Sequence, residues 1–168
     1  DDDGGPNAGS INTGFGLDCF FVDSCTLQNN QVSNSEFGNY VMLSSGFSST
    51  GDVSTGGLGR GFHAQTSNGT IDDLTVTDSL GFGVLLIDSI VQGTGGTITG
   101  GRRGPSIQDI DGNEDPPPEE LMMLVGGTGL WAVAQGENAE THLIWHDSVI
   151  EDNINGGVQT IGARLELV

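Results

Sequence analysis

The segments Gly61-Phe62-His63-Ala64 and Gly83-Val84-Leu85-Leu86 decide the fold, because the same short pattern returns after 22 residues. In each, a glycine precedes apolar residues at alternate positions. Similar segments begin at Gly16, Asn39, Gly129 and Gly157. The interval from Gly83 to Gly129 is 46 residues, which predicts a degenerate coil between them, starting near residue 104. A pattern that returns at a fixed interval indicates a repeat architecture.

A second extended segment follows in several of these units. Its two apolar positions lie five residues apart, with Asn or Asp nearby; the pairs are Leu27 and Val32, Ile71 and Val76, and Ile144 and Val149. Asn, Asp and Gly supply the left-handed backbone geometry that a tight corner needs. Such a short unit cannot bury its apolar side alone, so its copies are expected to stack on one another.

Parallel strands in a globular α/β fold need helices between them, and the chain has no persuasive segment of helical period. We therefore predict an all-β fold, a right-handed single-stranded parallel β-helix (solenoid) with coils of about 22–23 residues. The repeat, with runs such as 29–34 and 147–153 after it, resembles that of right-handed parallel β-helix proteins of the pectate-lyase-like superfamily, of the secreted or surface bacterial type. The resemblance covers residues 14–168. It implies the fold and no single activity, because these proteins include enzymes and non-enzymatic surface proteins.

The chain is strongly acidic, with 23 Asp and Glu residues against 4 Lys and Arg and a formal net charge of −19. Nucleic acids require a cationic surface, which this chain cannot build. No stretch reaches the roughly 20 apolar residues of a membrane span. We therefore predict no nucleic-acid partner and no direct membrane insertion. Together with the resemblance, this composition favours a secreted or cell-surface (extracellular) protein from a bacterium.

Cys19 and Cys25 are the two cysteines of the chain. A pair six residues apart, in a chain with the composition of an exported protein, predicts a local disulfide that ties one turn. The alternative is that both side chains pack as small apolar groups inside the coils.

Two parts of the chain depart from the repeat. Residues 1–13 are predicted to form an acidic, Gly-rich leader, and 14–168 the β-helix, from which an acidic, Pro-rich loop near 109–120 is extruded. Residues 165–168 end the sequence inside an extended segment, which would leave an unprotected sheet edge. We therefore expect this chain to be a fragment of a longer protein.

The acidic loop carries oxygen ligands at the spacing of a calcium-binding loop. Counted from its first residue, positions 1, 3, 5, 7 and 12 are Asp109, Asp111, Asn113, Asp115 and Glu120. Gly112 stands at position 4 instead of position 6, and three prolines follow. The loop is therefore either a Ca²⁺ site or a solvated acidic segment, and Ca²⁺ is the one cofactor that the sequence suggests.

Candidate catalytic groups do not form a recognisable set, so we predict no catalytic residue. A lyase of this fold would need a basic residue beside Ca²⁺-holding carboxylates, yet lysine is absent. Carboxylate pairs such as Asp72 and Asp73 are expected by chance among so many acidic residues. If the chain is an enzyme, polysaccharide lyase and glycoside hydrolase are the classes to consider. An ice-binding face would show a flat threonine ladder, and the first strand of the repeat has none.

Strand alternation predicts a row of apolar side chains on the outside of the first strand. This predicted outer stripe consists of Phe20, Val41, Leu43, Leu85, Ile87, Trp131 and Val133. A contiguous stripe of this size usually marks an interface with a protein partner or a second copy. Cover by residues 116–125 of the same chain is the alternative.

These observations favour a non-enzymatic structural or interaction module of a secreted or cell-surface protein, acting in adhesion, matrix or filament assembly. Its partner would be a protein or a second copy bound through the apolar outer face. The alternative is a carbohydrate-active enzyme or glycan-binding domain of the β-helix type. In that case a sugar would lie near Trp131, Trp145 and the acidic loop.

Overall fold

The computed structural model describes residues 12–57, 59–102, 127–135 and 139–168. In these ranges the chain forms seventeen β-strands, which are arranged in three parallel sheets, and no helix. The chain visits sheets A, B and C in turn, and one such circuit is one coil. Six coils stack in this way, which confirms the predicted all-β parallel β-helix.

The strands are numbered in chain order, and the members of each sheet are given in their spatial order. Sheet A contains β1 (Asn12–Phe20), β4 (Ser35–Met42), β7 (Arg60–Gln65), β10 (Phe82–Ile87), β13 (Thr128–Val133) and β16 (Val158–Ile161). Sheet B contains β2 (Cys25–Gln28), β5 (Phe47–Thr50), β8 (Asn68–Asp72), β11 (Ile90–Thr94), β14 (His142–His146) and β17 (Arg164–Leu167). Sheet C contains β3 (Gln31–Ser33), β6 (Val53–Thr55), β9 (Thr75–Thr77), β12 (Thr97–Thr99) and β15 (Val149–Glu151).

The register of sheet A corrects the predicted repeat at one coil. Asn39 pairs with Phe62, so the residue equivalent to Gly61 is Gly38. A Cβ on Gly38 would lie 2.9 Å from the carbonyl carbon of Gly61, which explains why glycine stands in this row. The repeat position assigned to Asn39 is therefore wrong by one residue.

The shifted register moves two members of the predicted outer stripe. Val41 points inward and is 0% exposed in the core, so its predicted place on the outer face is wrong. Leu43 follows the end of β4 and lies at a corner with a φ of 54°, not on the strand face. Tyr40 and Met42 take the outward positions of this strand instead, because they pair with His63 and Gln65 of the next coil.

A second correction concerns the 46-residue interval between Gly83 and Gly129. Strand β10 pairs directly with β13, with Val84 opposite Leu130. No degenerate coil is therefore inserted between these two strands of sheet A. Residues 103–126, which include most of this interval, lie outside the described ranges.

Two of the corners of each coil are turned at a residue with positive φ. The corner between sheets B and C uses Asn29, Gly51, Asp73, Gly95 and Asp147, and the corner after sheet C uses Asn34, Gly56, Asp78, Gly100 and Asp152. The N–H groups of most of these residues continue the ladder, as where Asp73 donates to the Thr94 carbonyl at 2.8 Å. Glycine alternates with Asn or Asp because a Cβ on Gly51 would lie only 2.5 Å from Oδ1 of Asn29.

A column of buried hydroxyl groups extends the backbone ladder at the start of sheet B. The N–H of Ser44 donates to Oγ of Ser67 at 3.1 Å, and the N–H of Ser67 donates to Oγ of Ser89 at 3.1 Å. The N–H of Ser89 continues the column to Thr141 at 3.4 Å. Side-chain oxygens thereby satisfy backbone donors that would otherwise be buried without a partner.

Apolar side chains from all three sheets fill the interior. The ring of Phe62 lies 5.9 Å from that of Phe47 in the preceding coil, and both side chains are buried. Trp145 is 0% exposed, and its indole N–H donates to the Gly95 carbonyl at 2.7 Å. The indole occupies the space beside Gly93, where a Cβ would lie 2.8 Å from Cδ1 of Trp145.

We expect Gly93→Ala to lower the free energy of unfolding by about 1–3 kcal/mol, because the added methyl group overpacks the core against Trp145. The matched control is Gly46→Ala, where a Cβ would meet nothing closer than 3.7 Å. That change should shift stability by less than about 1 kcal/mol. Urea unfolding followed by tryptophan fluorescence measures both, and equal stability of the two variants would contradict the proposed packing.

Candidate binding surfaces

The outer face of sheet A brings most of the predicted stripe into register. Phe20, Leu85, Ile87, Trp131 and Val133 all occupy outward positions. Their exposure differs along the face, since Phe20 is 44% exposed whereas Leu85 is 3% exposed and Val133 is 8% exposed. Accessible apolar surface is therefore concentrated at the two ends of the face, at Phe20 and Ile161, and not in its middle.

Arg60 and His63 form a cationic and aromatic cluster on the same face. The guanidinium carbon of Arg60 lies 4.7 Å from the centre of the Phe37 ring, and its Nη1 lies 3.4 Å from Nδ1 of His63. The His63 ring in turn lies 4.7 Å from the Tyr40 ring. Because arginine only donates, Nδ1 of His63 accepts, and the proton of the neutral imidazole is on Nε2.

Burial governs the chemistry of this cluster. His63 is 2% exposed, and its Nε2 has no hydrogen-bond partner among the residues that the structure describes. Burial, with a smaller contribution from the charge of Arg60, lowers the pKa of His63 to about 3. Burial also raises the pKa of Tyr40, and the charge of Arg60 partly opposes that rise. His63 is therefore held neutral and cannot act as an acid–base group near neutral pH.

Sheet B carries a shallow polar groove on its outer face, with a volume of about 160 Å³. It is lined by Thr70, Asp72, Gln92, Gly93, Thr94, Ile144 and His146. Strand register creates the groove, because Gln92 pairs with Thr70 and Ile144, and Thr94 pairs with Asp72 and His146. The result is a patch of hydroxyl, amide, carboxylate and imidazole groups on three successive coils.

The two tryptophans do not share this groove. Trp145 points into the core, and Trp131 lies on sheet A. The predicted place of Trp145 beside a sugar is therefore wrong, because strand alternation turns the tryptophan inward and its neighbour His146 outward. Sequence reasoning missed Asp72, Gln92 and Thr94 as neighbours of His146. It assigned the five-residue spacing of this coil to Ile144 and Val149, but both point outward, and the inward pair is Trp145 and Ile150.

Cys19 and Cys25 are joined by a disulfide, with their Cα atoms 6.2 Å apart. The bond closes the corner between β1 and β2. Phe21 and Val22 lie within this closed loop and are 67% and 37% exposed. The first coil therefore presents a short apolar tip that is held by a covalent cross-link.

The candidate calcium ligands Asp109, Asp111, Asn113, Asp115 and Glu120 lie outside the described ranges. Within those ranges, no three His, Cys, Asp or Glu side chains come together as a metal site. The buried carboxylate of Asp52 is instead bound by protein groups, since Ser49 donates to it at 2.6 Å and Asn30 at 2.9 Å. In the described part of the chain, no helix is long and apolar enough to cross a membrane.

The buried imidazole of His63 predicts a specific loss of stability in acid. Below the ordinary histidine pKa of about 6.5, the unfolded chain binds a proton at this residue that the folded protein does not bind until about pH 3. The contribution of neutral His63 to the free energy of unfolding is therefore fully present above about pH 6.5. Below that pH it falls by up to about 1.4 kcal/mol per pH unit. Urea unfolding between pH 7 and pH 4 should show a smaller slope for His63→Phe, and parallel curves would contradict this origin.

In comparisons with known proteins, the chain matches no family model, no curated protein and no solved structure.

Proposed function

We propose that this chain is a non-enzymatic structural or interaction module of a secreted or cell-surface protein, acting in adhesion, matrix or filament assembly. The observation that supports this most is the exposure of large apolar side chains at the first and last coils on the outside of sheet A. Phe20 of the first coil and Leu85 and Trp131 of the fourth and fifth coils stand on one face, although such outward positions need no apolar residue for the fold.

The accessible ends of this face are suited to contact with another molecule. Phe20 and Phe21 are exposed at the first coil, and Ile161 is 56% exposed at the last. Covering large apolar side chains at such positions with a partner removes them from water, which lowers the free energy of the complex. The net charge of −19 opposes the approach of a second copy, so association should strengthen when salt screens the charges.

Further parts of the proposal rest on the sequence. We propose a place within the pectate-lyase-like superfamily and a bacterial origin, on the strength of the glycine-spaced repeat. We also propose Ca²⁺ binding by residues 109–120, because oxygen ligands alternate there. Bound Ca²⁺ would neutralise acidic charge and favour assembly, which links the two parts of the proposal.

Self-association is measured by light scattering over a range of protein concentrations, with and without millimolar Ca²⁺. We expect the scattering mass to rise with concentration, to rise further with Ca²⁺ and to return when a chelator is added. The double variant F20S/F21S should associate less, because it removes the exposed apolar tip.

The matched control is Ile90→Ser, because Ile90 is 39% exposed but lies on sheet B. This change should leave association as it is in the unaltered protein. A protein that stays monomeric at every concentration, with or without Ca²⁺, would refute both the assembly role and the calcium site. Equal losses in F20S/F21S and Ile90→Ser would remove the assignment to the apolar tip.

A second candidate function is glycan binding, and the groove on sheet B favours it. Hydroxyl, amide and carboxylate groups from three coils offer both donors and acceptors, as a polyhydroxylated ligand requires. The strongly negative chain should repel anionic sugars, so the ligand would be a neutral saccharide. His146 and Asp72 line the groove and would be candidate acid–base groups if the chain is a hydrolase.

Calorimetric titration with a panel of neutral oligosaccharides tests this second candidate. We expect the variant Q92A/T94A to bind a saccharide ligand about tenfold or more weakly, because two hydrogen-bonding side chains are lost. Gln28→Ala is the control, since Gln28 is exposed in the same sheet but at the first coil. If no saccharide binds, or if Q92A/T94A binds as tightly as the control, the groove is not a glycan site.

A further inference from the structure

The second coil, formed by β4, β5 and β6, has polar side chains where the neighbouring coils have apolar ones. One inward position in each sheet is concerned, and the three residues are Asn39 in sheet A, Ser49 in sheet B and Ser54 in sheet C. None of the three is more than 1% exposed. The residues paired with them are all apolar: Leu17 and Phe62 beside Asn39, Leu27 and Ile71 beside Ser49, and Val32 and Val76 beside Ser54. A polar layer therefore lies inside the stack between two apolar layers.

Two of these side chains lack the hydrogen bonds that burial requires. Within the part of the chain that the structure describes, neither Nδ2 nor Oδ1 of Asn39 has a hydrogen-bond partner, and neither has Oγ of Ser54. Ser49 differs, because its hydroxyl donates to the buried carboxylate of Asp52 at 2.6 Å. A primary amide has two donors and an acceptor oxygen, and its burial without a partner costs free energy. Buried polar groups in native proteins are bound by protein atoms or by ordered water.

The unpartnered hydroxyl and the unpartnered amide are close neighbours. In the third coil, the inward side chain of sheet C packs against the glycine of sheet A, since a Cβ on Gly61 would meet Cγ1 of Val76. In the second coil the same contact joins Oγ of Ser54 to Gly38, which directly precedes Asn39. Consecutive Cα atoms lie about 3.8 Å apart, and one bridging water joins polar atoms up to roughly 5.6 Å apart. A single water molecule can therefore reach both side chains.

Side-chain size also favours water in this coil. Serine is smaller than the leucine, isoleucine and valine that pair with it, so Ser49 and Ser54 fill less of the interior. The ring of Phe47 occupies other space, because it lies over Gly69 of the third coil, where a Cβ would be 2.5 Å from Cδ1 of Phe47. A buried water needs room for about one probe sphere and roughly two to four polar partners. Nδ2 and Oδ1 of Asn39 and Oγ of Ser54 are such partners.

We propose that the interior of the second coil is a binding site for ordered water, held by the amide of Asn39 and the hydroxyl of Ser54. A bound cation would need a free negative oxygen, whereas the carboxylate of Asp52 already accepts hydrogen bonds from Ser49 and Asn30. An apolar ligand would leave the amide unpaired. The site lies inside the coils, so it does not depend on the assembly or glycan proposals, which use outer faces.

Nuclear magnetic resonance of the labelled 168-residue chain tests the proposal through the side-chain amide protons of Asn39. We expect a nuclear Overhauser effect between these protons and water, with opposite signs in the laboratory and rotating frames, which identifies a long-lived bound water. Ser54→Val should abolish the effect, because valine fills the space of the water as Val32 and Val76 do in the neighbouring coils. Ser54→Ala is the matched control, because it removes the same hydroxyl but leaves the space, so the effect should remain.

A high-resolution crystal structure gives a second readout, which stays valid if Ser54→Val fails to fold. The unaltered protein should show an ordered water at about 2.7–3.2 Å from polar atoms of both Asn39 and Ser54. The variant N39L/S54V should lack this water and should unfold at a urea concentration no lower than that of the unaltered protein, since the polar groups and their water are lost together.

Three results would overturn the proposal. The first is a crystal structure of the unaltered protein without water at these atoms. The second is loss of the Overhauser effect in Ser54→Ala as well as in Ser54→Val, which would assign the effect to the hydroxyl proton of Ser54. The third is a marked loss of stability in N39L/S54V, which would show that Asn39 or Ser54 binds protein groups instead.

Discussion

The structure depends on one constraint, which is that three sheets must keep the same coil-to-coil hydrogen bonds at once. Every coil must therefore turn its corners at the same places, and residues with positive φ stand at most of them. Two of the corner columns alternate between glycine and Asn or Asp. This alternation leaves room for the side chain and places carboxylates such as Asp73 and Asp147 about two coils, or roughly 10 Å, apart, which is close to a Debye length.

The same constraint separates stability from function. The coil is stabilised by backbone hydrogen bonds, by buried hydroxyls such as that of Ser67 and by inward side chains such as Phe62. The side chains among these occupy only inward and corner positions. Outward positions are thereby free to differ between sheets. Sheet A carries apolar and aromatic residues, sheet B a polar groove and sheet C threonines. Functional differences on this scaffold therefore lie in outward rows and not in the fold.

The parallel β-helix could be predicted from the sequence because the glycine intervals near 22 residues equal the distance along the chain between paired residues of sheet A, such as Phe62 and Val84. It misplaced Val41 because Asn39, like glycine, suits a corner and was aligned one residue too late. It treated Leu27 to Val32 as one extended segment, although residues five apart on a single strand point to opposite faces. Both side chains are buried because the segment is two strands, β2 and β3, with a corner between them. The groove was missed because His146 follows Thr94 by 52 residues, an interval that no regular repeat aligns.

Intrinsic strand propensity does not account for the threonines of sheet C. Propensity favours threonine on any outward strand position, so it should act equally on sheets B and C. In the third and fourth coils, however, the second and third outward residues of the sheet B strands are Thr70 and Asp72 in β8 and Gln92 and Thr94 in β11. All four outward residues of the sheet C strands in these coils are threonines. Cross-strand pairing of threonines adds stability in either sheet. The difference between the two faces is carried by side chains that point away from the core, where the fold leaves the residue type free.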